Sequence, residues 1–260
     1  MITIQNYVRA ESLEEAYALN QNRRNRILGG MLWLKLGKGS VRTAIDLSGL
    51  GLDTIQETQT EFRIGAMVTL RQLEQHPGLN AYTQGAVAKA VRDIVGVQFR
   101  NMATVGGSIW GRFGFSDVLT VFLPMDCQVE LYKAGSVPLE EFAQRKPDRD
   151  ILVGLTVKKT PGSFVYTAMR IQRTDFPVLT CAMAQVNGEA RLALGARPGR
   201  AILLRDDHHL LPDAESFAVW ASEAAPTGSN IRGSREYRKH LICVLTQRSA
   251  LELGGRTQWN

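Results

Sequence analysis

The run Gln98-Phe99-Arg100-Asn101-Met102-Ala103-Thr104-Val105-Gly106-Gly107-Ser108 carries more information than any other part of the chain. Its paired glycines sit where the backbone must turn sharply. With no Cβ in the way, successive N–H groups of such a turn approach a ligand closely and form a nest for phosphate or pyrophosphate. Thr104 and Ser108 can add hydroxyl donors. A second loop of the same kind stands earlier, Ile27-Leu28-Gly29-Gly30-Met31-Leu32-Trp33-Leu34. One Gly-Gly pair alone reads as an ordinary tight turn. Two such loops, each following a predicted element, point to a phosphate-bearing ligand.

The flanking sequence alternates helical and strand patterns. Ile2 to Val8 reads as a strand, and Ser12-Leu13-Glu14-Glu15 is a capping box that opens a helix to about Asn20. Ile27-Leu28 reads as a strand running into Gly29-Gly30, and Ala44 to Leu47 as another, so the first ~50 residues form a small βαβ-type unit. Thr54 to Ala66 reads as a hairpin. Thr69, with Gln72 three residues on, starts a helix that stops near Pro77-Gly78. Gln84 to Val95 is predicted helical, Gly96 to Phe115 irregular, and Asp117 to Met125 an apolar helix. Strands are expected at Gln128 to Tyr132 and Ile151 to Val157. Beyond the boundary signal Pro161-Gly162 come antiparallel strands, Phe164 to Gln172, Val178 to Val186 and Glu189 to Leu194, the last two joined by an Asn187-Gly188 type I′ turn. Ala214 to Ala225 and Arg235 to Leu253 read as closing helices.

Composition excludes several classes. The chain has 260 residues, 44% hydrophobic and 22% charged, which is ordinary globular usage for two domains or one domain of two lobes. No run of 18 apolar residues is present, so no membrane span is expected, and Met1 to Asn6 does not read as a signal peptide. The net charge of +6 permits nucleic acid or an acidic protein as a partner. Only Arg23, Arg24 and Arg26 cluster, however, and they read as a solvated helix end, so nucleic acid is not expected. Cys127, Cys181 and Cys243 are too scattered to hold an iron–sulfur cluster or zinc and read as reduced thiols of a cytoplasmic protein. The neighbours His208 and His209 point different ways on any regular element, so no metal site is expected.

Catalytic motifs are absent too. No G-x-G-x-x-G follows a strand. Gly37-Lys38-Gly39-Ser40 lacks the rest of a Walker loop, and neither G-x-S-x-G nor H-E-x-x-H occurs. Glu140-Glu141 fits a helix start, and Asp206-Asp207 lies in a polar loop. With no side chains assigned to catalysis and two phosphate-type loops, the chemistry falls to a cofactor.

The run ending Arg100-Asn101-Met102-Ala103-Thr104-Val105-Gly106-Gly107-Ser108, with Ser116-Asp117 and the apolar Val118 to Leu123 beyond it, resembles the signature of the FAD-binding medium subunit of molybdenum hydroxylases. This is the xanthine dehydrogenase and carbon monoxide dehydrogenase type. The Ile27 to Leu34 loop is similar to that family's A-G-G-T-D-L run. Arg173 to Pro177, the Asn187-Gly188 hairpin and Gly233 to Arg238 are similar to its C-terminal portion. Met31, Leu32 and Trp33 stand where the family has Thr-Asp, and Ser108 where it has Asn.

The resemblance implies an α+β protein: a two-lobed FAD-binding domain of the vanillyl-alcohol-oxidase kind at residues 1–160, then a smaller α+β C-terminal domain of antiparallel sheet and helices at 161–260. A small βαβ lobe would span about 1–53 and a larger α/β lobe about 54–160. It implies FAD contacts at Ile27, Leu28, Gly29, Gly30, Met31, Leu32, Trp33, Leu34, Ile94, Thr104, Val105, Gly106, Gly107, Ser108, Asp117 and Leu152. Loop amides would hold the pyrophosphate, and Arg112 would add charge near it. It further implies a large molybdopterin subunit and a small 2Fe–2S subunit as partners, with electrons passing through FAD to NAD or another acceptor. The alternative is a degenerate, cofactor-free scaffold of the same kind of complex.

Overall fold

The computed structural model describes residues 2–257, so Met1 and residues 258–260, the outer ends of the two expected domains, lie outside it. The mixed α+β class holds, and it is built on three sheets. The first is parallel, with β1 (Ile2–Arg9) and β2 (Arg26–Leu28) on either side of β3 (Gly39–Asp46). Helix α1 (Leu13–Asn20) crosses between strands, as a βαβ connection must. Ser12 Oγ accepts from Glu15 N at 3.1 Å and caps it.

The middle sheet is antiparallel, in the order β4 (Ile55–Glu57), β5 (Glu61–Gly65), β8 (Leu152–Lys158), β6 (Cys127–Leu131), β7 (Gly135–Pro138). The segment between β5 and β6 is helical. It holds α2 (Leu70–Gln75), α3 (Pro77–Tyr82), α4 (Ala86–Val91), α5 (Val97–Arg100), α6 (Val105–Trp110) and α7 (Asp117–Phe122). Helix α8 (Leu139–Gln144) follows β7. The Thr69–Gln72 capping box closes in both directions, at 3.2 and 2.8 Å.

Helix α2 stops at Gln75, just ahead of Pro77-Gly78 as expected, and Pro77 begins α3, because its fixed φ suits the first helical position and its missing N–H costs nothing there. One expectation changes here. The stretch read as irregular, Gly96 to Phe115, contains α5 and α6. Gly106 and Gly107 lie in the first turn of α6, whose N-cap Thr104 accepts from Gly107 N at 3.1 Å. Gly106 is required by close packing, since a Cβ there would sit 2.7 Å from the Ala66 carbonyl oxygen.

The third sheet is antiparallel, in the order β12 (Ile202–Arg205), β11 (Glu189–Gly195), β10 (Pro177–Val186), β9 (Gly162–Arg170). The short β12 escaped the sequence reading. At the β10–β11 turn, Asn187 and Gly188 both have positive φ, 50° and 82°, the backbone a type I′ turn needs. Nearly every residue of β10 is buried, because both faces of this sheet are covered. One face (Phe164, Tyr166, Ala182, Ala184) joins the core under the middle sheet. The other (Val165, Leu179, Cys181, Met183) packs on α9 (Ala214–Ala224) and α10 (Arg235–Thr257). Arg238 is fully buried there and donates to the carbonyl oxygens of Val178, Ala196, Gly228 and Gly233 and to Asn230 Oδ1. Five acceptors satisfy a cation that has no carboxylate partner among the described residues.

Candidate functional site

The first sheet, the third sheet and the helical segment between β5 and β6 meet at one cleft of about 430 Å³. Its size lies in the range of small-molecule and cofactor sites. The first glycine loop leaves β2 and forms one wall. The start of α6, the Phe113–Ser116 turn and Asp117 form the floor, and Thr174 to Pro177, ahead of β10, close the far side.

The two glycine loops touch. A Cβ on Gly30 would fall 1.9 Å from the Met102 carbonyl oxygen, and one on Gly29 would fall 2.8 Å from Thr104 Oγ1. The loops differ in what they offer. Val105 N donates to Val68 O, Gly106 N to Ala66 O, Gly107 N to Thr104 Oγ1 and Ser108 N to Thr104 O. The amides of Val105 to Ser108 are thus spent on helix capping and on the neighbouring chain, which leaves no row of free N–H groups among them. In the first loop the N–H groups of Gly29, Gly30, Leu32 and Trp33 have no protein acceptor among the described residues. Met31 takes a left-handed φ of 59° within this loop. Where the loop lacks Thr and Asp side chains, main-chain donors remain.

Asp117 sits on the cleft floor, almost fully buried, at the first position of α7. Its Oδ1 accepts from Tyr166 Oη and from Arg170 Nη2, the latter at 2.5 Å. Among the described residues no other residue donates to Oδ2, and the carboxyl's remaining donor is the backbone N–H of Asp117 itself. Burial pushes the Asp117 carboxyl above its ordinary range, against the pull of Arg170 and Tyr166. Burial, and then the Asp117 charge, drive the Tyr166 phenol well above its usual value, so it stays a donor. Ser116 Oγ caps α7 by accepting from Leu119 N at 3.1 Å and donates to Ser108 O at 3.0 Å, which locks the floor together.

An aromatic cluster lines the mouth. The Trp33 ring centroid lies 5.9 Å from that of Phe115 and 5.6 Å from that of Phe176. Phe113 stacks on Phe115 at 5.2 Å. Trp33 is 48% and Phe113 41% exposed, so neither is core packing. Arg232 lies over Phe176 at 4.9 Å.

Of the residues expected from the sequence, the cleft gathers Ile27, Gly29, Gly30, Met31, Leu32, Trp33, Leu34, Ile94, Thr104, Gly107, Ser108 and Asp117. Leu28, Gly106 and Leu152 line instead a smaller cavity of about 230 Å³ behind the Gly29–Gly107 contact. Val105 lines neither and is fully buried in the core. Arg112 does not stand by the loops. Its guanidinium is buried over the Phe142 ring at 3.8 Å and donates to Phe142 O and Trp110 O. Arg26, read as part of a solvated helix end, begins β2 and lines the smaller cavity. Phe115, Arg170 and Phe176 were missed as cleft residues. The aromatic density of Trp110, Phe113 and Phe115 around Gly111 and Gly114 was a usable signal, whereas Arg170 enters only through the pairing of β9.

Residues 2–158 match the model of the family described as the FAD binding domain in molybdopterin dehydrogenase. The chain belongs to this family. The nicotine 6-hydroxylase medium subunit of Paenarthrobacter nicotinovorans is 25% identical, over 96% of this chain and 98% of that protein. A chain of carbon monoxide dehydrogenase from Oligotropha carboxidovorans superposes with a TM-score of 0.83 at 21% identity, over 98% of each chain. The enzyme from Hydrogenophaga pseudoflava, solved lacking the Mo-pyranopterin moiety of its cofactor, gives 0.83 at 20%, over 96% of this chain and 97% of that one. Both share the fold across all three sheets. The cleft fits FAD: free amides and an open carboxylate oxygen supply polar contacts, and an apolar wall suits a planar ring. Among the described residues no helix is long and apolar enough to cross a membrane.

Proposed function

We propose that this chain is the FAD-carrying electron-transfer subunit of a cytoplasmic molybdopterin-dependent hydroxylase of the xanthine dehydrogenase kind. Substrate is oxidised at a molybdopterin centre on a large subunit. Electrons then pass through 2Fe–2S clusters on a small subunit, through FAD here, and on to NAD or another acceptor. Residues 1–160 form the FAD-binding domain of this reading and 161–260 the C-terminal domain.

The observation that carries it is a cleft where donor amides, an acceptor carboxylate and an aromatic wall converge within a chain of this family. The amides of Gly29, Gly30, Leu32 and Trp33 hold phosphate oxygens. Asp117 Oδ2 accepts from a ligand N–H or O–H, and Trp33, Phe115 and Phe176 exclude water from the ring. When bound, FAD supplies both hydride-type and one-electron chemistry. The protein positions it and sets its surroundings.

A second reading, a cofactor-free scaffold, draws on the spent amides of the second loop and the apolar Met31-Leu32. The absorption spectrum of the purified chain separates the two, with heat release to identify the chromophore. Flavin bands and stoichiometric FAD support the first reading. A colourless protein that takes up no added FAD leaves only the scaffold.

A further inference from the structure

We infer that the guanidinium groups of Arg26 and Arg149 form the anion site that neutralises the pyrophosphate of the cofactor. This rests on the FAD reading and names the charge that reading lacks.

The amides of the second loop are spent, and Met31 and Leu32 bring no charge. A pyrophosphate held in the first loop still needs a cationic partner. The main cleft offers Arg170, but it is already paired with Asp117 at 2.5 Å. The smaller cavity continues from the cleft, sharing Ile27, Gly29, Thr104 and Gly107 with it. Both Arg26 and Arg149 line it, and neither makes an ion pair among the described residues.

Both side chains are placed mainly by main-chain oxygens. Arg149 Nε donates to Asn20 O at 2.5 Å, and its Nη2 to Asn22 O at 2.8 Å, Asn25 O at 3.2 Å and Asn20 Oδ1 at 3.0 Å. Arg26 Nη1 donates to Arg23 O at 2.6 Å and Asn25 O at 2.8 Å. These bonds leave Arg149 Nη1 and Arg26 Nε and Nη2 without protein acceptors among the described residues.

The two carboxylates at the cavity are engaged elsewhere. Asp148 faces Arg145 at 3.6 Å and accepts from Asp150 N at 3.0 Å. Asp150 accepts from Lys133 N and Ala134 N, each at 2.9 Å, and from Ile151 N at 2.8 Å. Burial, then the charges of Arg26 and Arg23, hold the Arg149 pKa below its usual value. A bound anion would offset both the burial and the like charge. A guanidinium is suited to the task because its planar fork grips phosphate oxygens in pairs.

Calorimetric titration of the full chain with inorganic pyrophosphate, and separately with FAD and riboflavin, tests this. Arg26→Gln is the main variant, because Arg26 is exposed and its loss leaves the fold intact. Arg149→Lys is the second, keeping charge but losing the fork. Pyrophosphate and FAD are expected to bind about ten-fold more weakly in Arg26→Gln. The salt dependence of FAD binding should become shallower, and riboflavin, which carries no phosphate, should be unaffected. Wild-type affinity for pyrophosphate and FAD in both variants would overturn the inference while leaving the cofactor reading standing. Arginine-dependent pyrophosphate binding without any FAD uptake would keep the anion site and sink the cofactor reading. A wild-type chain that binds neither removes both.

Discussion

Arg170 Nη2 on β9 lies 2.5 Å from Asp117 Oδ1 at the start of α7, and both side chains are under a tenth exposed. This buried pair ties the third sheet to the cleft floor. Removing one partner strands the other charge away from water. Arg170→Met should therefore cost about 3–5 kcal/mol in urea unfolding. The double variant Arg170→Met, Asp117→Asn should recover part of that loss. Purely additive costs in the double-mutant cycle would show that the two groups do not act as a pair.

The glycines of the two loops should separate by consequence. Gly30→Ala places a Cβ 1.9 Å from the Met102 carbonyl oxygen, where only backbone can yield. It should lower the melting temperature by several degrees or abolish folding. At Gly107 the nearest atom to a Cβ is Thr104 Oγ1 at 3.2 Å. Gly107→Ala should fold, whereas Gly107→Val, which crowds the loop contact, should lose the flavin colour. A yellow Gly107→Val protein would show that this position does not face the ligand.

Trp33 contacts Phe113, Phe115 and Phe176 yet remains 48% exposed. Trp33→Ala should leave stability within about 1 kcal/mol of wild type. It should weaken FAD binding roughly ten-fold through the lost ring contact. Flavin fluorescence titration reads the second quantity and thermal melting the first.

Acid should loosen the junction of the middle and third sheets. Asp126 accepts from Arg191 Nη1 at 2.6 Å and from Thr160 Oγ1. Burial raises its pKa, but these bonds and the nearby cations outweigh it and hold the carboxyl below its usual range. A depressed folded-state pKa means the contribution is full above the unfolded aspartate value, about 3.9, and fades as pH falls through the folded one. Asp126→Asn should thus be less stable than wild type at neutral pH, with the gap narrowing below about pH 4. A gap that stays constant with pH would count against this.

Much of the fold was legible because its signals are local. The Ser12 and Thr69 caps, the Asn187-Gly188 turn and the alternation of β6 each depend on a few neighbouring residues. The short helices α5 and α6 were not, because glycine argues against helix locally and only close packing on Ala66 explains Gly106. At the cleft, the loops announced themselves through paired glycines. What their amides do could not be read, since Val105 and Gly106 donate to Val68 and Ala66, nearly forty residues earlier. Arg112 illustrates the same limit: its charge suggested a phosphate, while its position over Phe142 depends on packing across thirty residues.

The cleft draws its walls from β2 of the first sheet, from the α6–α7 helical segment and from the approach to β10 of the third sheet. A molecule seated there acts as a keystone. Its binding free energy is shared by three units that could otherwise loosen one at a time, so occupancy should merge their separate meltings into one cooperative transition. By the same logic a fragment ending at residue 158, the stretch the family model covers, would lack the Arg170 and Phe176 side of its own pocket.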